Sequence, residues 1–292
     1  MKILITGAQG QVGSELVAIT NQSDYEIVAA SRSELDITNK KNVDAYVSLV
    51  KPDIVINAAA YTAVDKAEEE KDSASAINSN GAENLAITCF KQNIPLLHIS
   101  TDYVFDGSKN EAYNENEIVS PLGVYGETKW QGEEAIRNHL PQHIILRVAW
   151  VFGATGNNFV KTMIRLAKDR DELNIVADQF GGPTSAKSIA KTLVHLVDVY
   201  QKENSLEWGT YHYCGKEKTS WYHFAKDIFK QAKASKLIDK DISVNAIFTD
   251  EYPTLAKRPE NSMLDCAKIK QTFGIDMPEW HVELKQVLSE LN

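Results

Sequence analysis

The stretch Lys2-Ile3-Leu4-Ile5-Thr6-Gly7-Ala8-Gln9-Gly10-Gln11-Val12-Gly13 decides how the chain is read. Residues 2–6 form a short apolar run of strand character, and from residue 11 to residue 19 apolar positions recur at helical spacing. Between them the glycines fall as G-x-x-G-x-x-G, in the turn joining a strand to a helix. Such a turn needs small residues. The chain reverses tightly, its backbone must approach a pyrophosphate, and the first helical amides face the anion with the positive end of the helix dipole. Gly7, Gly10, Gln11, Val12 and Gly13 are therefore expected to bind a dinucleotide.

The unit repeats outward from this stretch. Strands are expected at 26–30, 53–58, 95–100 and 143–149, with helices around 42–50, 72–91 and 124–138 between them. This alternation predicts an α/β fold, a Rossmann-type doubly wound parallel sheet covered on both faces. After Trp150 the rhythm loosens into a helix near 159–168, a strand near 173–176, a helix near 188–201 and mixed elements up to a C-terminal helix. Residues 1–150 are read as a dinucleotide-binding domain, with a helix and strand returning to it around 185–213. Residues 151–292 are read as mainly a smaller substrate-binding lobe, with a cleft between the two.

About twenty residues beyond the glycine loop, where an NAD site would place an acid on the adenosine ribose, the second strand ends in Ala30-Ser31-Arg32. Ser31 and Arg32 suit a 2′-phosphate, which favours NADPH. Asp36 and Ile37 could flank the adenine, with NADH possible. After the third strand, Ala58, Ala59, Ala60, Tyr61 and Thr62 follow Asn57 at a strand's carboxyl end, where the cofactor must lie close to backbone.

Tyr125 and Lys129 are four residues apart at the start of an expected helix, so phenol and ammonium share one face. A free tyrosine titrates near pH ~10 and is a sluggish acid at neutrality; a nearby cation would lower that value. Lys129 is expected to be that cation and also to hold the nicotinamide ribose. Ser100-Thr101-Asp102 closes the fourth strand on the same edge as the glycine loop. Thr101 is the expected clamp on a carbonyl oxygen. From the same strand end, Ile99 is assigned to the cofactor and Asp102 to the substrate.

The 292 residues suffice for two coupled lobes, and a formal net charge of −9 argues against nucleic acid or an anionic membrane as partner. Cys89, Cys214 and Cys266 lack metal-ligand spacing, and their odd number suits a reducing compartment. No apolar run approaches the ~18–20 residues that span a bilayer. With a strand-like segment already at Lys2, a cytoplasmic protein is expected.

Taken together, residues 57–67, Ser100–Phe105, Tyr125–Lys129, Gly156–Phe159, Asp178–Gly181 with Pro183-Thr184, and Arg258-Pro259 resemble the dTDP-4-dehydrorhamnose reductase family of the extended short-chain dehydrogenase/reductases. The resemblance runs nearly end to end. It implies hydride delivery from NAD(P)H to C4 of dTDP-4-dehydro-β-L-rhamnose, with Tyr125 protonating the oxygen, in nucleotide-sugar biosynthesis. It also implies that Trp150 contacts the sugar, with Val64, Asp65 and Gln179 as further cleft residues. Arg258 suits the substrate diphosphate as a bidentate donor, or else a structural ion pair. Some members bridge dimers through a glutamate-held metal. Here Lys187 stands where one such glutamate is expected, so despite Glu15 no metal is expected, and the chain is read as a monomer or homodimer.

Two alternatives compete. One is a nucleotide-sugar epimerase or dehydratase of the same fold; against the dehydratase, Tyr103 stands where an extra acid would follow Thr101-Asp102. The other is a non-catalytic regulatory subunit resembling the β subunit of methionine adenosyltransferase, which the intact Thr101, Tyr125 and Lys129 set opposes.

Overall fold

The computed structural model describes residues 1–20 and 24–291. The chain opens with β1 (Lys2–Thr6), α1 (Gln11–Thr20), β2 (Glu26–Ala30), α2 (Lys40–Val50) and β3 (Ile54–Asn57). Two short helices, α3 (Val64–Ala67) and α4 (Lys71–Ser75), lead through a π-helical turn at Ala76–Asn80 into α5 (Gly81–Gln92). Next come β4 (Leu96–Thr101), α6 (Val124–His139) and β5 (His143–Val148). The C-terminal half holds β6 (Val151–Phe152), α7 (Phe159–Asp169), β7 (Glu172–Val176), β8 (Phe180–Gly181), β9 (Thr184–Ser185) and α8 (Ala186–Glu203). It continues with β10 (Gly209–Tyr213), β11 (Thr219–Ser220), α9 (Trp221–Ala234), β12 (Ser243–Ile247), α10 (Ala267–Phe273) and α11 (Trp280–Glu290).

Six parallel strands form the central sheet in the order β10-β5-β4-β3-β1-β2. Its strands are apolar on both faces because helices cover both. Ile3, Ile5, Ile54 and Ile56 enter one core, whereas Leu4 and Val55, their neighbours along the chain, enter the other. The chain leaves β1 for β2 on one side and returns to β3 on the other. That reversal opens a crevice at the carboxyl ends of β1 and β3, where an α/β sheet of this kind takes its ligand.

β10 pairs with β5, and α8 packs on α1, so both elements belong to the sheet layer although they lie far along the chain. Side-chain caps set several helix starts: Asn39 accepts from the Asn42 amide at α2, Asn158 from Lys161 at α7, and Ser185 from Ser188 at α8. Ser220 does the same for α9, accepting from the His223 amide.

The structure departs from the sequence expectation in two places. The single helix expected over 72–91 is broken into α4, the π turn and α5. Within the π turn the buried Asn78 accepts from the Tyr61 amide and donates to the Tyr61 carbonyl and to Thr128 Oγ1, tying the loop after β3 to α6. A π turn inside a helix commonly marks such a functional tie. The second difference is α9, a fourteen-residue helix in a region read only as mixed elements.

Candidate active site

The glycine loop is shaped by contacts within itself and with the strand beside it. Gly7 has φ +65°, and a Cβ there would lie 2.5 Å from the Ala59 nitrogen; at Gly13 it would lie 2.2 Å from the Gly7 carbonyl oxygen. Gly7 and Gly13 therefore close the turn, and Gly10, Gln11 and Val12 line the cavity beyond it. The α1 amides from Gln11 to Gly13 have no helical carbonyl one turn before them, which leaves donors for an anion. This cradle fits a dinucleotide pyrophosphate. Gly13→Ala is expected to weaken NADPH binding by about tenfold or more; an unchanged Kd by fluorescence titration would contradict the role given to this close approach.

The cavity has a volume of about 590 Å3 and gathers residues from β4, β5 and β6, from the loops after β1 and β3, and from helices α1, α3, α6, α7 and α9. Ala58, Ala60, Thr62 and Val64 come from the segment after β3, Ile99, Thr101 and Asp102 from the end of β4, Tyr125 and Lys129 from α6, and Trp150 from the end of β5. Not every expected residue reaches it. Asp36 accepts from the amide and hydroxyl of Thr38 in a local turn, and Ile37 is buried in the second core. Tyr61 turns its hydroxyl to Glu70, and Ser31 and Arg32 lie at the end of β2, outside the lining. Arg32 is exposed, and Ser31 donates both its amide and its hydroxyl to Glu34.

Burial dominates the electrostatics. Tyr125 is pushed up to about 12 by burial, opposed by a hydrogen bond from Thr101 and reinforced by Asp102. From the sequence, Lys129 is expected to lower the phenol. In this structure desolvation of the would-be phenolate dominates, and Lys129 is not among the groups that shift it, so Tyr125 is a neutral acid. Lys129 is pushed down to about 8 by burial, against the field of Glu133 one turn further along α6. Burial also lifts Asp102 to about 7, with the neighbouring Ser262 and Thr101 hydroxyls opposing the rise.

Trp150 adopts φ +45°, a strained conformation for a bulky residue that ordinarily signals a constrained site. Its indole donates to Ser262 Oγ at 3.2 Å and stacks on Trp221, ring centroids 3.5 Å apart and 4° from parallel. Trp221 and Tyr103 line both this cavity and an adjoining groove of about 900 Å3 between α7, β7 and residues 245–258. Gln179 and Arg258 lie in that groove. The Arg258 fork engages Asp65, at 3.1 and 2.7 Å, and Asp65 also accepts from the Ala256 amide. Trp221 escaped the sequence reading because it opens a helix in the looser half, with no motif around it.

Away from the cavity, the Lys187 ammonium pairs with Glu290 at 3.0 Å, and Glu15 lies within the field of both.

The profile of the RmlD substrate binding domain family matches residues 1–292. A dTDP-4-dehydrorhamnose reductase of Aggregatibacter actinomycetemcomitans is 48% identical, over 98% of each chain. The chain belongs to this reductase family. Among solved dTDP-4-dehydrorhamnose reductases, that of Clostridium acetobutylicum is 40% identical with a TM-score of 0.93, covering 100% of this chain and 99% of that one. The Bacillus anthracis reductase, solved in complex with NADP, is 37% identical with a TM-score of 0.92 and 99% coverage of both. The Rossmann-type architecture of the dTDP-4-dehydrorhamnose reductases is thus the architecture found here, from the glycine loop to α11.

Proposed function

We propose that the chain is an NADPH-dependent reductase that converts dTDP-4-dehydro-β-L-rhamnose to dTDP-β-L-rhamnose. One observation carries the reading: Thr101, Tyr125 and Lys129 share a single cavity with Gly10, Gln11 and Val12 at the sheet's switch point. NADPH, when bound, supplies the hydride. Thr101 orients the carbonyl oxygen, and Tyr125, held protonated by burial, donates the proton that oxygen collects. Trp150 lines the cavity with its indole stacked on Trp221, so the aromatic pair can border the pyranose, and Asp102, its carboxyl raised by burial, can hydrogen-bond a sugar hydroxyl. The adjoining groove suits the nucleotide portion, with Gln179 and Arg258 on its wall and Val64 and Asp65 nearby. Among the described residues no helix is long and apolar enough to cross a membrane. The three buried free thiols favour a reducing, cytoplasmic setting, and the chain is read as a monomer or homodimer.

Purified protein mixed with dTDP-4-dehydro-β-L-rhamnose and stoichiometric NADPH is expected to oxidise the cofactor and yield the reduced sugar. Isomerisation or dehydration without net oxidation would overturn the reading in favour of an epimerase or dehydratase.

Cofactor preference has its own determinant. Glu34 accepts from the Ser31 amide and hydroxyl, at 2.8 and 2.6 Å, and so sets a carboxylate beside the expected 2′-phosphate position. Arg32 favours that phosphate and Glu34 opposes it. Glu34→Gln is expected to raise the NADPH-to-NADH ratio of kcat/KM by about tenfold. A ratio that stays constant would remove Glu34 from the cofactor site.

A further inference from the structure

Behind the catalytic lysine runs a file of buried polar groups that the reaction as described does not use. Thr6 Oγ1 donates to Asn57 Oδ1 at 2.6 Å, Asn57 Nδ2 meets His98 Nδ1 at 2.9 Å, and His98 Nε2 meets Lys129 Nζ at 3.2 Å. All four residues are at most 2% exposed. They lie on β1, β3, β4 and α6, so only the assembled sheet brings them into line.

The direction of the file is set by a backbone group. The Ala59 amide donates to Asn57 Oδ1 at 3.1 Å. Turning the Asn57 amide over would set its NH2 against that N–H, two donors face to face. Asn57 therefore presents an N–H to His98 Nδ1, which must accept. A neutral imidazole has a single ring proton, and here it is left on Nε2, aimed at Lys129. The ring is neutral because burial, then Lys129 and His143, hold it well below its usual range.

Lys129 can accept that Nε2–H only if its nitrogen carries a lone pair. The ammonium form of Lys129 has three donors and no acceptor. One of them goes to the Ile99 carbonyl at 2.7 Å, and one aimed at the ring would confront the histidine N–H. The neutral amine satisfies both contacts, donating to Ile99 and accepting from His98.

We propose that Thr6, Asn57 and His98 form a directed hydrogen-bond file that stabilises the neutral amine of Lys129, so that Lys129 is the store from which Tyr125 regains its proton. The proposal rests on the reductase reading above for its second half only. In the cycle Tyr125 gives its O–H proton to the carbonyl oxygen as the hydride reaches the carbon. The resulting phenolate takes a proton that Lys129 yields, and the lone pair so exposed on Nζ receives the His98 N–H. Solvent then restores the ammonium. His98 touches no reacting atom and is a positioning residue.

Other groups around Lys129 set the balance. Tyr125 and Glu133 flank it along α6, Arg147 on β5 is bound to Glu133, His143 stands behind His98, and Asp102 lies in the same cavity wall. Glu133 favours the ammonium and burial opposes it, while the N–H of His98 opposes it by its direction.

The test begins with the wild-type chain, labelled with 15N in histidine and observed by NMR without cofactor. His98 is expected as the Nε2–H tautomer, and its Nε2 resonance should shift with a midpoint near pH 8, a shift lost in Lys129→Met. An Nδ1–H tautomer, or a resonance without that inflection, overturns the proposal. The second arm is the pH profile of NADPH oxidation. The rate should fall as pH rises through the lysine value, and His98→Ala should move that alkaline limb upward by about one pH unit and lower kcat several-fold with KM for NADPH unchanged. A lowered kcat with an unmoved limb would mark His98 as merely structural. If the NMR result holds while the enzyme oxidises no NADPH, the reductase reading fails and the file stands.

Discussion

Tyr125→Phe is expected to lower kcat by about two to four orders of magnitude, the range for removal of a positioned acid, with NADPH affinity preserved. The substitution deletes one hydroxyl and keeps the ring, which lies edge-on to Tyr103 with centroids 5.8 Å apart, so the packing at the start of α6 survives. Burial holds the phenol near 12, which ensures that Tyr125 meets substrate with its proton in place across the working pH range. Phe cannot donate, and Thr101 alone can orient the carbonyl oxygen without protonating it. Steady-state kinetics with NADPH titration separates the two effects, and turnover within a few-fold of wild type would remove Tyr125 as the proton donor.

Arg147→Met produces the largest expected loss of stability, about 3–5 kcal/mol, because it strands a buried carboxylate. Glu133 is fully buried on α6 and accepts from Arg147 at 2.6 and 2.9 Å, from Arg137 at 2.7 Å and from Ser100 at 2.5 Å. Burial would raise its carboxyl, but the two guanidiniums and the serine hold it below the ordinary 4.5. The sign of the pH dependence follows. A lowered folded value contributes stability that is present above the unfolded value and is lost as pH falls through the folded one. With Met at 147, burial regains the upper hand and the carboxyl rises, so acidification relieves the variant as it weakens the wild type. Urea midpoints should differ most near neutrality and converge toward pH 4, and Glu133→Gln added to Arg147→Met should recover much of the loss. A constant gap across that range would show that the carboxylate is not what the arginine serves.

Much of the site is legible because its signals are local. The glycine spacing, the Tyr125 and Lys129 pair and the Ser100–Asp102 strand end each lie within one turn or one element. The register of a single helix or strand is enough to say which way they face. Residues whose role depends on another element read less clearly. Asp36 holds a local turn and Ile37 enters a core, contacts that their distance along the chain from the glycine loop does not reveal. Arg258 reads equally as a diphosphate donor or an ion pair, and it is the fold that brings Asp65, nearly two hundred residues away, against its fork. His98 reads as one more residue of an apolar strand until the sheet places Asn57 on one side of its ring and Lys129 on the other.

The amino-acid pattern by itself determined the parallel sheet, the dinucleotide turn and the chemical identity of the phenol, amine and hydroxyl at its edge. These follow from periodicity and from spacings shorter than a helical turn or two. Tertiary structure alone decided the protonation of that phenol and amine, the stacking of Trp221 on Trp150 and the direction of the hydrogen bonds reaching Lys129. Desolvation and donor orientation are properties of what surrounds a group, and those surroundings are assembled from strands and helices that the chain visits far apart.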